Sequence, residues 1–192
     1  VPQRTWSERI ITTKETEPAY PVSCSSYCGY PYFMETDDYK LYTATFAADV
    51  DGDGDVDTLT ASGRYEEIAW YQNDGSEPFT ERIIIDSADY ASSVYAVDVD
   101  ADGNADVLST SRDDDTVAWY ENDGDQSFTE RIITTLADGA RSVYAIDVDG
   151  DGDVDVLSAS NTDDTVAWYE NDGSQAFTER IITTLADGAH SV

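Results

Sequence analysis

Short apolar segments separated by turn signals recur along most of the chain. One copy contains the four segments SVYAIDV (142–148), DVLSAS (155–160), TVAWYE (165–170) and FTERIITT (177–184). These segments are rich in β-branched and aromatic residues, and the NDG between the last two is a strong hairpin signal. The pattern therefore predicts four strands in each copy.

The alternation of side chains within the strands leaves apolar residues on both faces of the predicted sheet. In the third strand, Ala167 alternates with Val166 and Trp168, and all three are apolar. A sheet with two apolar faces must be covered on both sides. In the last segment Glu179 and Arg180 interrupt the pattern, as expected of an outer, partly solvated edge strand.

The four-strand pattern repeats every 49 residues. Trp70, Trp119 and Trp168 each begin a WY motif at this interval, and the FTERII segments follow in phase. Units of four strands and about 50 residues, covered by their neighbours, are typical of β-propeller blades. We therefore predict an all-β fold of propeller-type four-stranded blades, with a linear β-stack as the main alternative.

The repeat divides the chain into six segments. They are an outer strand without a blade of its own (1–13), a Tyr- and Cys-rich insert or cap (14–41), three repeats (42–86, 87–135 and 136–184) and the start of a further repeat (185–192). Because closed propellers need about 4–8 blades, we expect a propeller completed by further copies, a segment of a longer protein, or an open stack. Since the chain has no initiator Met, we expect Val1 to begin a processed or excised chain.

An acidic loop of nine residues follows the first strand of each repeat. It reads DVDGDGDVD at residues 49–57 and 147–155, and DVDADGNAD at residues 98–106. Carboxylates this close repel by roughly 1–4 kcal/mol per pair at surface-like dielectric, so such a loop requires a cation. Alternating oxygen ligands around a glycine suit Ca²⁺ better than Mg²⁺. The sequence therefore predicts about three Ca²⁺, one in each loop.

The predicted Ca²⁺ ligands occupy positions 1, 3, 5, 7 and 9 of each loop, with a backbone carbonyl at position 7. The loops are not EF-hands, because position 12 holds Thr60, Ser109 or Ser158 instead of a bidentate Glu, and the flanking segments are strands. The predicted ligands are Asp49, Asp51, Asp53, Asp55, Asp57, Asp98, Asp100, Asp102, Asn104, Asp106, Asp147, Asp149, Asp151, Asp153 and Asp155.

The segment SVYAIDVDGDGDVDVLSAS resembles the FG-GAP (VCBS-type) repeat of integrin alpha-chain propellers and of many secreted microbial and algal proteins. In that family a DxDxDGxxD loop between the first two strands of a blade binds calcium. The resemblance extends over about residues 42–192 and 6–13, although the GAP segment reads SAS or STS here. It implies a Ca²⁺-dependent extracellular propeller that serves adhesion, ligand binding or architecture.

The charge of the chain narrows the expected partners. With 41 Asp+Glu against 10 Lys+Arg, the formal net charge is −31, which disfavours binding to nucleic acids and anionic membrane surfaces. No apolar run approaches the roughly 18 residues of a membrane span. We expect other protein chains as partners, through self-assembly or within a larger parent chain, and glycans as the alternative.

The insert carries the remaining candidate residues. Cys24 and Cys28 fit a local disulfide in an oxidising compartment, with a reduced pair or a bond to another chain as the alternatives. Four tyrosines form either a ligand-contact surface or part of a cap over the first blade, namely Tyr20, Tyr27, Tyr30 and Tyr32. The sequence has no nucleophile–His–acid set, phosphate-binding loop or zinc cluster, so we do not expect an enzyme. It predicts an extracellular structural or adhesive module, with a propeller lectin as the alternative.

Overall fold

The structure is a computed structural model, and it describes residues 42–76 and 78–192. These residues form twelve strands and no helix. The strands pair into three antiparallel four-stranded sheets, and each sheet keeps its strands in chain order. The prediction of an all-β fold of four-stranded units is therefore confirmed.

Each sheet corresponds to one 49-residue repeat. The first sheet contains β1 (Tyr42–Ala48), β2 (Asp57–Ser62), β3 (Glu67–Gln72) and β4 (Thr80–Ile85). The second contains β5 (Ala91–Val97), β6 (Asp106–Ser111), β7 (Thr116–Asn122) and β8 (Phe128–Thr134). The third contains β9 (Ala140–Ile146), β10 (Asp155–Ser160), β11 (Thr165–Asn171) and β12 (Phe177–Thr183).

The predicted strand bounds of the third repeat differ from the structure mainly in the first strand. β10 coincides with the predicted 155–160, whereas β9 ends at Ile146 and not at residue 148. The reason is that the backbone N–H of Val148 donates to the Asp155 carboxylate at 2.9 Å. Val148 therefore belongs to the acidic loop and not to the strand ladder.

The three sheets are arranged around their first strands. β1 lies against β5, and β5 lies against β9. The rings of Phe46, Tyr95 and Tyr144 on these strands form a ladder with centroid separations of 4.6 and 5.1 Å. The last strands β4, β8 and β12 are mostly exposed sheet edges. This is the arrangement of successive propeller blades, and the three described sheets do not close into a ring.

The apolar core lies between neighbouring sheets. We call the face of each sheet that carries its tryptophan (Trp70, Trp119 or Trp168) the Trp face, and the opposite face, which carries Tyr71, Tyr120 or Tyr169, the Tyr face. The Trp face of one sheet packs on the Tyr face of the next, so that Trp70 and Trp119 are 1 % and 0 % exposed. The edges of these two indoles meet Phe128 and Phe177 of the following sheet.

A buried asparagine connects each of the later sheets to the acidic loop of the sheet before it. The side-chain amide of Asn122 donates to the carbonyl of Val50 at 3.1 Å and to that of Ala105, in its own repeat, at 3.0 Å. Asn171 repeats the first contact by donating to Val99 at 3.4 Å. Because an unpaired buried carbonyl is costly, these amides fix the spacing between consecutive sheets.

We predict that Asn122→Ala lowers the free energy of unfolding by about 2–4 kcal/mol, because it leaves two carbonyls without their donor. Asn73→Ala is the matched control, since Asn73 donates within its own repeat, to Val56 at 3.1 Å, and makes no cross-repeat bond among the described residues. Urea denaturation in dilute solution with Ca²⁺ measures both. Equal losses for the two variants would contradict a stabilising cross-repeat bond.

Candidate metal sites

The three acidic loops connect the first and second strands of the three sheets and share one conformation. Gly54, Gly103 and Gly152, at position 6, have φ values of +94°, +96° and +104°, which side chains rarely tolerate. Their backbone N–H groups donate to the carboxylate at position 1 over 2.9, 2.9 and 3.1 Å. The glycine therefore folds the loop back over its first aspartate.

Short-range hydrogen bonds hold the carboxylates at positions 3 and 5. In the first loop, Asp51 accepts the backbone N–H of Asp53 at 3.4 Å, and Asp53 accepts that of Asp55 at 2.8 Å. The other two loops make the same pair of bonds. Such turns tie each carboxylate to the backbone two residues ahead and so hold alternate side chains within one tight loop.

Each loop gathers three carboxylates whose oxygens lie within 4.8 Å of one another. The three clusters are Asp49, Asp51 and Asp53; Asp98, Asp100 and Asp106; and Asp147, Asp149 and Asp155. In the first cluster, Asp49 Oδ1 is buried and has no hydrogen-bond partner within the described ranges. An orphaned, buried carboxylate oxygen among other carboxylates fits a cation ligand. Each loop can therefore hold a metal ion.

The aspartate at position 9 has a second, structural task. Asp106 is fully buried, and its two oxygens accept the backbone N–H groups of Val99 at 2.9 Å and of Asn122 at 2.8 Å. Asp57 and Asp155 make the equivalent pairs of bonds at 2.7 to 3.0 Å. This carboxylate therefore joins the acidic loop to the end of the third strand of the same sheet.

Burial makes two of the position-9 carboxylates, those of Asp57 and Asp106, harder to ionise. Burial raises the pKa of Asp106 to about 6, and the nearby Asp100 adds to the rise, although the two backbone N–H donors act in the opposite direction. Burial also raises the pKa of Asp57 and of Asp100. The negative charge on these three residues is therefore unfavourable, and a bound cation would offset it.

Position 7 contacts the hairpin turn after the third strand. Gly124 of that turn has a φ of +80°, and a Cβ there would lie 3.0 Å from Oδ1 of Asn104. In the third repeat a Cβ on Gly173 would lie 2.7 Å from Oδ2 of Asp153. The NDG glycine is therefore required both for the turn and for the close approach of the loop.

Nine of the fifteen predicted ligands lie in the three carboxylate clusters. The other six are placed in the same loops but outside those clusters, namely Asp55, Asp57, Asp102, Asn104, Asp151 and Asp153. The predicted disulfide and the predicted ligand-contact surface lie outside the described residues, and they involve Cys24, Cys28, Tyr20, Tyr27, Tyr30 and Tyr32. The cross-repeat role of Asn122 and Asn171 was not predicted from the sequence, although both residues occur in phase in the WYxND motif.

The sheets and loops together define a repeat protein of β-propeller type, and each blade carries an acidic loop that can hold a metal ion. The sequence model of the FG-GAP-like repeat matches residues 49–109, 98–158 and 147–192. The chain therefore belongs to the FG-GAP-like repeat family, as its resemblance to that family predicted. No curated protein matches the sequence.

One solved structure with a similar fold is that of a lectin from Agrocybe aegerita, whose title describes specific recognition of non-reducing terminal N-acetylglucosamine. The two chains are 21% identical, with a TM-score of 0.52. The similarity covers 75% of this chain but 39% of the lectin chain, so this chain spans about two-fifths of the length of the lectin. At this identity the likeness concerns the fold alone.

We predict that Asp106→Ala lowers the stability of the chelator-treated protein by about 2 kcal/mol or more, because two buried backbone N–H groups lose their acceptor. Asp102→Ala is the control: Asp102 is exposed in the same loop, and its removal should cost less than about 1 kcal/mol. Thermal unfolding in excess EDTA compares the two. A larger loss for Asp102→Ala would contradict the structural role of position 9.

Proposed function

We propose that this protein is an extracellular, Ca²⁺-binding β-propeller module with a structural or adhesive role, as a segment or subunit of a larger assembly. The observation that carries the proposal is the recurrence of a carboxylate cluster in the same loop of all three repeats, each time with the aspartates of positions 1 and 3. An acidic surface that only contacts water would not require carboxylate clusters at a fixed interval along the chain. It would also not require a glycine with a positive φ at position 6 or carboxylate oxygens held close together.

The chemistry of the loops favours Ca²⁺ over other metals. The ligand atoms are carboxylate oxygens, and the described residues contribute no Cys or His to the clusters, which disfavours Zn²⁺. Ca²⁺ accepts 6–8 oxygens in irregular geometry, and Mg²⁺ prefers a nearly ideal octahedron with several waters. A short loop with several carboxylates and backbone carbonyls therefore suits Ca²⁺ best.

A structural role follows from the place of the loops in the fold. Each loop connects the first two strands of a sheet, and its position-9 carboxylate also holds the end of the third strand. A bound ion would therefore stabilise three strands at one end of each sheet. Three Ca²⁺ would still leave a formal charge of −25 on a chain of −31, so the surface stays acidic and soluble.

The family supports a location outside the cell, because FG-GAP repeats are typical of extracellular proteins. In the part of the chain that the structure describes, no helix has the length and apolar character needed to cross a membrane.

We predict that Ca²⁺ raises the melting temperature of the protein markedly and that EDTA reverses the rise, because an ion that binds only the folded loops stabilises them. At a free concentration about 100 times Kd, each site contributes about 2.7 kcal/mol. Titration calorimetry should give about three Ca²⁺ per chain. The combined variant Asp49→Asn, Asp98→Asn and Asp147→Asn should lose the effect, and an unchanged melt of the parent protein in EDTA would refute the proposal.

Glycan binding is the second candidate function. An open polar cavity of about 480 Å³ lies between the second and third repeats, at the end of the sheets opposite the acidic loops, and is lined in part by Arg112, Asp115, Arg141 and Asn161. The Nε of Arg141 is buried there and has no partner among the described residues. Charged and amide groups around an open polar cavity suit the hydroxyl groups of a sugar, and the lectin of similar fold makes the test worthwhile.

We predict that, if the protein is a lectin, Arg141→Ala abolishes the signal on a glycan array. Arg180→Ala is the control, since Arg180 lies on the exposed edge strand β12, stacks on Trp168 and does not line that cavity. An array of neutral and acidic glycans without any signal for the parent protein would exclude this candidate. That result would leave the Ca²⁺-dependent structural module.

A further inference from the structure

Two glutamines reach from one repeat to the acidic loop of the repeat before it. The side-chain amide of Gln126 donates to Oδ2 of Asp51 at 3.5 Å, and that of Gln175 donates to Oδ2 of Asp100 at 3.1 Å. The partners are 75 residues apart in both pairs, so the same contact occurs at the same place in two successive repeats. Asp51 and Asp100 occupy position 3 of their loops and belong to the carboxylate clusters. Each of these two clusters therefore contacts a side chain of the next repeat.

The backbone of both glutamines has an unusual conformation. Gln126 and Gln175 have φ values of +63° and +62°, in the left-handed region that residues other than Gly and Asn seldom adopt. Backbone strain of this kind is found where a side chain is held in place for a ligand. The conformation directs both side chains at the preceding loop in spite of its cost.

A cavity of about 270 Å³ lies between the first acidic loop and the second repeat. Asp49 and Asp51 line it from the first loop, and Asn122, Gly124 and Gln126 line it from the end of the third strand and the turn of the second repeat. Oδ1 of Asp49, the buried oxygen without a partner among the described residues, belongs to the same cluster. The space beside the first carboxylate cluster is therefore bounded by two repeats.

The distance between amide and carboxylate suits two neighbouring ligands of one Ca²⁺. Ca²⁺ binds oxygens at about 2.3–2.6 Å, so neighbouring oxygens on one ion lie roughly 2.7–3.7 Å apart. The observed 3.1 and 3.5 Å fall within this range. A half-turn of the amide about its last carbon–carbon bond exchanges its nitrogen and its oxygen, and a side-chain amide oxygen is an ordinary Ca²⁺ ligand. Each glutamine can therefore offer Oε1 to an ion held by the preceding loop.

Side chains of the same repeat do not offer an amide at both loops. In the first repeat Gln72 donates to Oδ2 of Asp51 at 2.5 Å. The equivalent residue of the second repeat is Glu121, whose carboxylate accepts the Nε–H of Arg131 at 2.7 Å. Within the described ranges, the contact that recurs at position 3 is that of the cross-repeat glutamine. It brings an oxygen ligand without adding a further negative charge to the acidic loop.

We propose that Gln126 and Gln175 are Ca²⁺ ligands for the loop of the preceding repeat, so that the sites of the first and second loops are each built by two repeats. This deepens the proposed Ca²⁺-binding function, on which it rests, by adding to each site a residue from outside its loop. Since that ligand comes from the next repeat, a bound ion ties two neighbouring sheets together, and its release loosens the contact between them.

Calorimetric Ca²⁺ titration of single-site variants tests the proposal. Asp98→Asn together with Asp147→Asn leaves the first loop as the intact site, and Asp49→Asn together with Asp147→Asn leaves the second. With only the first loop intact, we expect Gln126→Ala to raise the Kd for Ca²⁺ about tenfold and Gln175→Ala to change it by less than about twofold. With only the second loop intact, the two effects should exchange. The two substitutions are matched, because both glutamines are exposed and have nearly the same φ.

Glutamate at the same position separates an oxygen ligand from an N–H donor. Gln126→Glu keeps an oxygen but cannot donate to Asp51, so with only the first loop intact it should hold the Kd at or below its value for the glutamine. Gln175→Glu in the same background measures how much of any gain comes from the added charge alone. A rise in Kd for Gln126→Glu as large as that for Gln126→Ala would overturn the ligand role.

The titrations also distinguish failure of this inference from failure of the proposed function. A parent protein that binds no Ca²⁺ refutes the Ca²⁺-binding function and the cross-repeat ligands with it. A parent that binds about three Ca²⁺, with equal effects of the two alanine substitutions or with none, overturns the cross-repeat ligands alone. Because both side chains are exposed, their replacement should leave the fold intact. Unfolding curves in EDTA check this for each variant, and the second loop repeats the test independently of the first.

Discussion

The buried aspartate at position 9 of each acidic loop is the constraint on which the rest of the structure depends. Its two oxygens hold two backbone N–H groups, one from the start of the loop and one from the end of the third strand. Without that carboxylate the start of the loop would lose its hydrogen-bonded connection to the end of the third strand. Burial of the same group raises its pKa in the second repeat, so the fold maintains an unfavourable charge that a cation can neutralise.

The same attachment point couples neighbouring repeats. Asn122 gives its backbone N–H to Asp106 and its side-chain amide to Val50 of the preceding loop, and Asn171 does the same one repeat later. The loops therefore form one continuous hydrogen-bonded chain across the three sheets. In repeat proteins stability is approximately the sum of such nearest-neighbour terms, so a cation bound in one loop would also stabilise the contact with the next sheet.

The sequence was sufficient for the strands and for the acidic loops because both depend on local chemistry. Period-two apolar segments, the NDG turn and the glycine at position 6 act within a few residues. What the sequence could not show is the difference between copies. Val50 and Val148 occupy identical DVDGDGDVD loops, and only the packing of a following sheet separates 2 % from 43 % exposure. The cross-repeat hydrogen bond of Asn122 could not be predicted for a similar reason. The same side chain also makes a hydrogen bond in the turn that follows it, and that role alone accounts for an asparagine at this position.

The interface between repeats has a direction. A Trp face presents loop carbonyls as acceptors, and a Tyr face presents asparagine amides as donors, as in the pair Val50 and Asn122. Two Trp faces placed together would leave acceptors opposite acceptors, and each unpaired buried group costs about 1–3 kcal/mol. Sheets can therefore be added in one orientation only, whichever chain supplies the next one. The carbonyl acceptors on one face and the amide donors on the other fix this orientation. The rotation from one sheet to the next decides whether a series of sheets closes into a ring.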